Sequence, residues 1–552
     1  MRVRSDMRPS EPNLGRAASK GSAGGKTMTR AFVNLACVLG ASSLVMLATN
    51  VQAQEGGGVV EPTTTAADAG AATAHDGSAT ANDGSATAND TGEASVNPTR
   101  PNDPTKSTDP AAEGAPAGDK AAEPFAFGDF TWLNGNNRQH KALLDSPYFT
   151  GSFLLDVNYT SSVNHPIDNT VVGSTALSRN NEVTLAFLGF GGDFHYEHTR
   201  ARLLTQFGVR STLVPRNDTS TNRGQFDLQN ALRYVSEAYG GYHFDVLNGV
   251  NVDAGIFMSY VGLFSYDNFE NWMYLPSFTS DNTPWFFNGI RIQVYTSDKL
   301  KIEPWIINGW QSYGKFNELP GFGAQVAWRP TESLSFLSND YVGWDTQNNP
   351  GRTRFHSDNS VQVRYFNRPS NFALSRAALS FTADIGGEQG DGVTPFGGTG
   401  TEGHCTTATP CTQQFLSAML YNRLWFLGGH LAWTSGGGVM RNPGRYLVLA
   451  PTGNASPFPN PLNVPAATQP YDLNPGASFD AWDMSTGIQY MPNEQITYGL
   501  ELNRRATSVP YFSGHGGVTS PDGYVTTPTP AGWRPDLVKS DARIIANVLV
   551  RF

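Results

Sequence analysis

The chain has 552 residues, of which 39% are hydrophobic, 11% aromatic and only 16% charged, well below the roughly 25% charge of an ordinary soluble domain. Its 38 basic and 48 acidic side chains leave a net charge of −10, so no basic field is available to hold a phosphate backbone and nucleic acid is excluded as a partner. The length suits either about three or four domains of roughly 150 residues or one large barrel.

Residues 1–27 are polar and basic and precede a second candidate start at Met28. An apolar stretch from Ala31 to Ala48 and the small-residue run Val51-Gln52-Ala53 follow, and that order reads as a secretory signal, with 1–53 as a removable leader. Cys37 lies inside the apolar stretch, but Asn34 stands where a lipoprotein signal would carry Leu. Its thiol is expected to leave with the signal. Residues 54–124 hold no aromatic, Leu or Ile, repeat DGSATAN in tandem at 76–82 and 83–89, and carry 12 acidic against 3 basic residues. Such a stretch cannot bury enough apolar surface to offset the entropy of ordering it, so 54–124 reads as a disordered tether.

From residue 125 to 552 the pattern changes to runs of alternating apolar and polar side chains, separated by Gly, Pro, Asn and Asp clusters. In one run Val250, Val252, Ala254, Ile256, Met258 and Tyr260 oppose Asn251, Asp253, Gly255 and Ser259. The same alternation runs through 153–159, 203–209, 290–294, 322–328, 361–365, 379–385, 416–426, 482–490 and 496–502. Period two means strands with one apolar face. At roughly 27 residues per strand and connection, this segment supplies about 16 strands, within a range of about 14 to 18. Long loops are expected near 164–179, 264–284, 386–414, 442–478 and 509–539, and short turns at 247–249, 297–299 and 330–332. One long loop folded inward would set a constriction.

The last run reads ARIIANVLVRF. Ala542, Ile544, Ala546, Val548, Val550 and Phe552 share one face, opposite Arg543, Asn547 and Arg551. A terminal aromatic closing such a strand resembles the assembly signal of bacterial outer-membrane barrels, which makes Phe552 its candidate residue. Tyr148, Phe149, Trp305, Trp310, Trp425 and Tyr490 lie near strand ends, where a membrane barrel places interfacial girdles. After the leader no run offers 18 consecutive apolar residues, too few for a spanning helix. A closed barrel can cross a bilayer because closure satisfies every backbone donor and acceptor. The expected fold is therefore all-β, a transmembrane antiparallel barrel over 125–552, preceded by the tether.

If apolar residues face lipid, the alternate set faces the lumen. Asp156, Arg202, Gln206, Arg210, Asp253, Arg291, Gln293, Arg329, Arg364, Asp384 and Glu501 are the candidate pore-lining residues, with Asn422, Asn547 and Arg551 among further members of that set. Polar groups of both signs suit a hydrated passage for small solutes, and any one of them can instead pair with a neighbour to stiffen the wall. Within 125–552 Arg outnumbers Lys by 23 to 5; the planar guanidinium serves both roles.

Motifs of chemistry are sparse. Cys405 and Cys411 sit in the loop GHCTTATPCTQ and form a candidate disulfide in an oxidising compartment. With His404 beside them a metal is conceivable, but a fourth ligand and CxxC spacing are missing, so no metal site is assigned. Gly398, Gly400 and Gly403 match GxGxxG without the strand and helix that the motif requires. His195 and Glu197 would share a strand face with His198 on the other, so the three do not converge. No GxSxG, Walker A or HExxH occurs, so no catalytic residue and no cofactor is assigned. The expected function is a porin for passive diffusion and not an enzyme; a structural or interaction barrel with a closed lumen is the alternative, and a barrel enzyme ranks third. Expected partners are outer-membrane lipid, the barrel-assembly machinery, small solutes or ions, and further copies of the chain as a homo-oligomer.

The runs SEAYGGYHF, GVNVDAGIFMSYVG, TPWFFNGIRI and WIINGW resemble the putative β-barrel porin-2 (OmpL-like) family. The elements that carry the likeness are Glu237, Ala238 and Tyr239; Gly255, Phe257 and Gly262; Gly289; and Asn308 and Gly309. It is best over about residues 230–370 and departs from the family at Ile256, where Lys is common. The resemblance implies a pore in the bacterial outer membrane, with the tether in the periplasm.

Overall fold

A computed structural model describes residues 124–215, 218, 220, 223–345, 350–390, 411–442, 479–527, 530 and 533–552. The leader, the tether up to residue 123, Cys405, the side chain of Cys411, and most of the loops expected at 386–414 and 442–478 lie outside the described residues.

The alternating runs form strands β1 (Phe149–Ser162), β2 (Val183–Tyr196), β3 (Thr199–Thr205), β4 (Val235–Phe244), β5 (Val250–Met258), β6 (Phe286–Ser297), β7 (Leu300–Ile307), β8 (Gly321–Thr331) and β9 (Leu334–Gly343). They continue as β10 (Arg352–Asn367), β11 (Arg376–Gly390), β12 (Cys411–Phe426), β13 (Leu431–Asn442), β14 (Phe479–Asn493), β15 (Ile496–Thr507), β16 (Phe512–Ser513), β17 (Leu537–Val538) and β18 (Ser540–Arg551). All but β16 and β17, which pair only with each other, close one antiparallel barrel of 16 strands among the described residues, each beside its sequence neighbour, with β18 returning to β1. Among the described residues no helix is long and apolar enough to cross a membrane.

Which face points outward is settled by exposure. On β15, Leu500 and Leu502 are 48% and 52% exposed, while Glu501 and Arg505 between and beyond them are 2% and 0% exposed. A soluble sandwich would show the reverse, because apolar area is what water drives inward. The last strand follows the same rule, with Ile544 outside and Arg543 and Arg551 inside. Phe552 seals the ring: its amide and carbonyl each exchange a 2.9 Å hydrogen bond with Phe153, and the two rings lie 6.2 Å apart.

The two ends differ. Residues 197–198, 245–249, 298–299, 332–333 and 494–495 make short turns at the end where β1 begins and β18 finishes. Long connections 163–182, 206–234, 259–285 and 508–539 lie at the other end.

Three expectations are corrected by this arrangement. The run 203–209 is not all strand: β3 stops at Thr205 and a short helix, α1 (Arg210–Leu213), follows. Gly208 makes the break with φ of +88°, where an added Cβ would sit 2.7 Å from the Leu185 carbonyl oxygen, a conformation and a space open only to glycine. Trp305, Trp310 and Trp425 are not girdle residues but buried, whereas Tyr148 and Tyr490 are exposed. Trp305 shares the inward face of β7 with Lys301 and Glu303, and its Nε1 donates to Glu303 Oε1 at 3.0 Å. Asn422 points outward and donates to Tyr365 Oη at 2.9 Å, leaving the inward place on β12 to its neighbour Arg423.

Candidate functional site

All eleven candidate lining residues are at most 9% exposed. Nine lie on barrel strands; Gln206 and Arg210 lie just past β3, on the connection and in α1. On one side of the barrel the wall neutralises itself. Arg202 takes Asp193 at 2.6 Å and Glu237 at 2.5 Å, and Arg291 takes Asp253 at 2.8 Å, which Arg200 also approaches at 3.2 Å. Gln293 donates to Glu303 at 2.8 Å, whose same oxygen receives Lys301 at 2.8 Å. Asp384 is the exception: it accepts from Ser417 at 2.7 Å and faces a second acid, Asp358, across the β10–β11 register.

Elsewhere the wall holds two pieces of chain that occupy the lumen. The first is the connection 259–285, hereafter the inward loop, nearly every residue of which is buried. It has no Lys or Arg but carries Asp267, Glu270 and Asp281. Arg551 takes Asp267 at 3.1 Å and Glu270 at 2.6 Å, and Arg505 takes Asp281 and the Pro276 carbonyl, each at 2.6 Å. Glu501 accepts the Tyr274 and Leu275 amides at 2.9 and 3.1 Å, and Asp483 accepts Ser277 Oγ and the Phe278 amide at 2.8 and 3.0 Å. Asp156 accepts Tyr274 Oη at 2.8 Å and Asn268 at 2.9 Å. Arg210 donates to the Tyr266 carbonyl, while Tyr266 Oη donates to Gln206 at 2.5 Å. Buried polar groups must be paired, and here the wall's charges are paired by the loop's backbone and acids. Beside the loop, Gln206, Ser236, Met258, Tyr266, Trp285 and Tyr313 close on a gap too narrow to admit a water molecule.

The second piece is the segment 124–140, which crosses the short-turn end. The Phe125 amide donates to the Asp298 carbonyl at 2.7 Å, Trp132 Nε1 to the Glu332 carbonyl at 3.0 Å, and the Asn134 amide to Gln362 Oε1 at 2.9 Å. Gln139 donates to the Arg551 carbonyl at 2.9 Å, and His140 meets Glu494 at 2.5 Å. Arg329 stands over the Phe125 and Phe130 rings at 4.4 and 4.8 Å, and Arg364 over Trp132 at 5.6 Å. Arg138 lies 3.8 Å from the Phe269 ring centroid; burial pulls its guanidinium down to about 9, with the Glu494 carboxylate opposing that shift.

The two pieces meet inside. The Trp272 amide donates to Asn134 Oδ1 at 2.7 Å and its indole to the Trp132 carbonyl at 3.0 Å. Gly135 donates to the Glu270 carbonyl at 3.1 Å.

The expectation of a loop near 264–284 matches the position of the inward loop, but Asp267, Glu270, Asp281, Trp132, Asn134 and Trp272 were not among the candidates. A signal for them was present in β18: Ile545 and Leu549 interrupt its polar face, and both are buried against Phe269, Tyr274 and Leu275 in one apolar cluster. Apolar side chains pointing into a barrel call for apolar chain inside it.

The histidines separate. His195 pairs in register with Arg200, while His198 stacks on His243 at 6.2 Å. Among the described residues no group of three or more His, Cys, Asp or Glu side chains is placed to hold a metal ion.

The profile of the family described as putative beta-barrel porin-2, OmpL-like, matches residues 148–424. No curated protein matches the chain. Solved structures similar to it include the outer membrane channel DcaP of Acinetobacter baumannii, with a TM-score of 0.41 and 11% identity over 73% of this chain and 97% of that one. In-vitro folded OmpT of Vibrio cholerae gives 0.40 and 9% over 75% and 100%, and the anion-selective porin from Comamonas acidovorans gives 0.39 and 11% over 73% and 99%.

Proposed function

Because the chain belongs to the putative beta-barrel porin-2, OmpL-like family, we propose that it is an outer-membrane porin through which small hydrophilic solutes diffuse passively. The observation that carries this reading is the inverted wall, with Leu500 and Leu502 facing out and Glu501 and Arg505 facing in around a ring closed by β1 and β18. Outer-membrane barrels turn their short connections to the periplasm. The end holding 197–198 and 494–495 is accordingly assigned there, together with the tether 54–124, and the long loops face outward. Phe552 serves the assembly machinery as its recognition residue, Cys405 and Cys411 staple an outer loop, and copies of the barrel associate in the membrane. The reading assigns no catalytic residue and no cofactor.

A second reading, a structural or interaction barrel with a closed lumen, is favoured by one specific observation: the inward loop and the segment 124–140 hydrogen-bond to each other inside the ring. Conductance separates the two. The purified chain and a variant lacking 263–283 are placed in planar bilayers under applied voltage and in liposomes swollen by small sugars. Stepwise conductance and swelling are expected from the unchanged chain as well as from the variant; steps from the variant alone favour the closed barrel, and their absence from the unchanged chain overturns the porin reading.

A further inference from the structure

We infer that the segment 124–140 is a releasable stopper for the short-turn mouth of the barrel, and that the inward loop is latched to it through Trp272. The inference rests on the porin reading and adds the device that opens and shuts it.

The segment belongs to none of the strands. Its ties to the wall run through side chains and turn carbonyls: Trp132 to Glu332, Asn134 to Gln362, Gln139 to Arg551. All 16 strands of the barrel already pair with two neighbours, so withdrawal of the segment breaks no ladder hydrogen bond. A part of the wall would have to unzip if it moved; a stopper need not.

Its position blocks the mouth. Reaching from the β6–β7 turn at Asp298 to the β14–β15 turn at Glu494, it spans turns that are well separated around the ring, and Trp132 is fully buried at its centre. On its C-terminal side it is anchored where Gly151 donates to the Leu144 carbonyl, next to the start of β1. Its other end continues into the residues before 124, so displacement can proceed from that side while the anchor holds.

Latching follows from Trp272. Both the amide and the indole of that residue donate to the stopper, and Arg423 grips the Trp272 carbonyl at 2.8 Å. With the stopper gone, Trp272 loses two buried hydrogen-bond partners. A buried donor without an acceptor is unfavourable, which biases the loop's tip toward leaving as well.

The test uses the full chain, a variant lacking 125–139, and the double substitution Trp132→Ala with Trp272→Ala, which keeps the backbone. Heat-modifiable migration on gels confirms that each barrel is folded. A several-fold rise in single-channel conductance or open time in both variants is expected. Equal conductance in all three, with clear steps in the full chain, overturns the stopper and leaves the porin reading intact. Silence from the full chain and both stopper variants overturns the stopper and the porin reading together.

Discussion

Arg505 is fully buried, and one guanidinium serves Asp281, the Pro276 carbonyl and the Gly173 carbonyl. Removing one partner of such a pair strands the other charge in a low dielectric, at a cost of roughly 3–5 kcal/mol. Arg505→Ala is therefore expected to lower the unfolding free energy by about that much, read from urea titrations in detergent micelles. Adding Asp281→Asn should recover much of the loss, because the stranded charge is gone. Asp345, beyond β9, makes the opposite kind of prediction. Burial pushes its carboxyl above the ordinary range, against the attraction of Arg354 and hydrogen bonds from the Trp310 amide and Tyr341 Oη. A carboxyl with a raised folded pKa is bound to its proton more tightly in the native state, so its contribution is full below the ordinary value of roughly 3.9 and is lost as pH rises through the folded value. Asp345→Asn keeps an acceptor for both donors and does not titrate, so its urea midpoint should exceed that of the unchanged protein by more at pH 7 than at pH 4.

The stopper carries a pH-dependence of its own. Burial raises the Asp129 carboxyl, but Arg376 at 3.2 Å and the Thr131 hydroxyl and amide at 2.6 and 2.9 Å outweigh it and hold the group below its usual range. That stabilisation is present above the ordinary carboxylate value and lost as pH falls through the folded one. Acidification below about pH 4 should thus raise channel open time, and Asp129→Asn should show the raised open time already at neutral pH. A flat pH response in the unchanged protein would count against Asp129 as an anchor. Strands such as β5 were legible over most of their length because alternation is local: Asp253 and Ala254 declare their faces within a few residues, although Ile256, expected outside with Ala254, is buried. The path of 259–285 was not, since no period governs a loop and its partners Arg551, Glu501 and Arg505 lie more than two hundred residues away. Trp305 and Trp425 misled for a related reason. Being near a strand end does not say which face a ring takes, and their inward neighbours Glu303 and Arg423 did.

For the molecule as a whole, the lipid-facing wall makes the plainest demand. Leu500 sits midway along β15 on the exposed face, where a cation near the bilayer midplane costs roughly 2–4 kcal/mol. Leu500→Arg should shift the unfolding equilibrium in lipid vesicles by that amount while leaving conductance unchanged; no shift would mean this face does not meet hydrocarbon. A large share of the architecture, the strand number included, could be inferred from chain length and alternation, but the filled lumen could not, because it is a property of loops meeting across the ring.

The seam between Phe153 and Phe552 sets an order of events in time. Every other ladder in the ring joins strands adjacent in the barrel's sequence, while this one waits for the last residue to arrive. Until then β1 offers an unpaired edge, the geometry through which sheets recruit foreign strands, and closing so long a loop is entropically slow. A chain lacking β18 should therefore accumulate as edge-joined aggregates rather than as a smaller barrel.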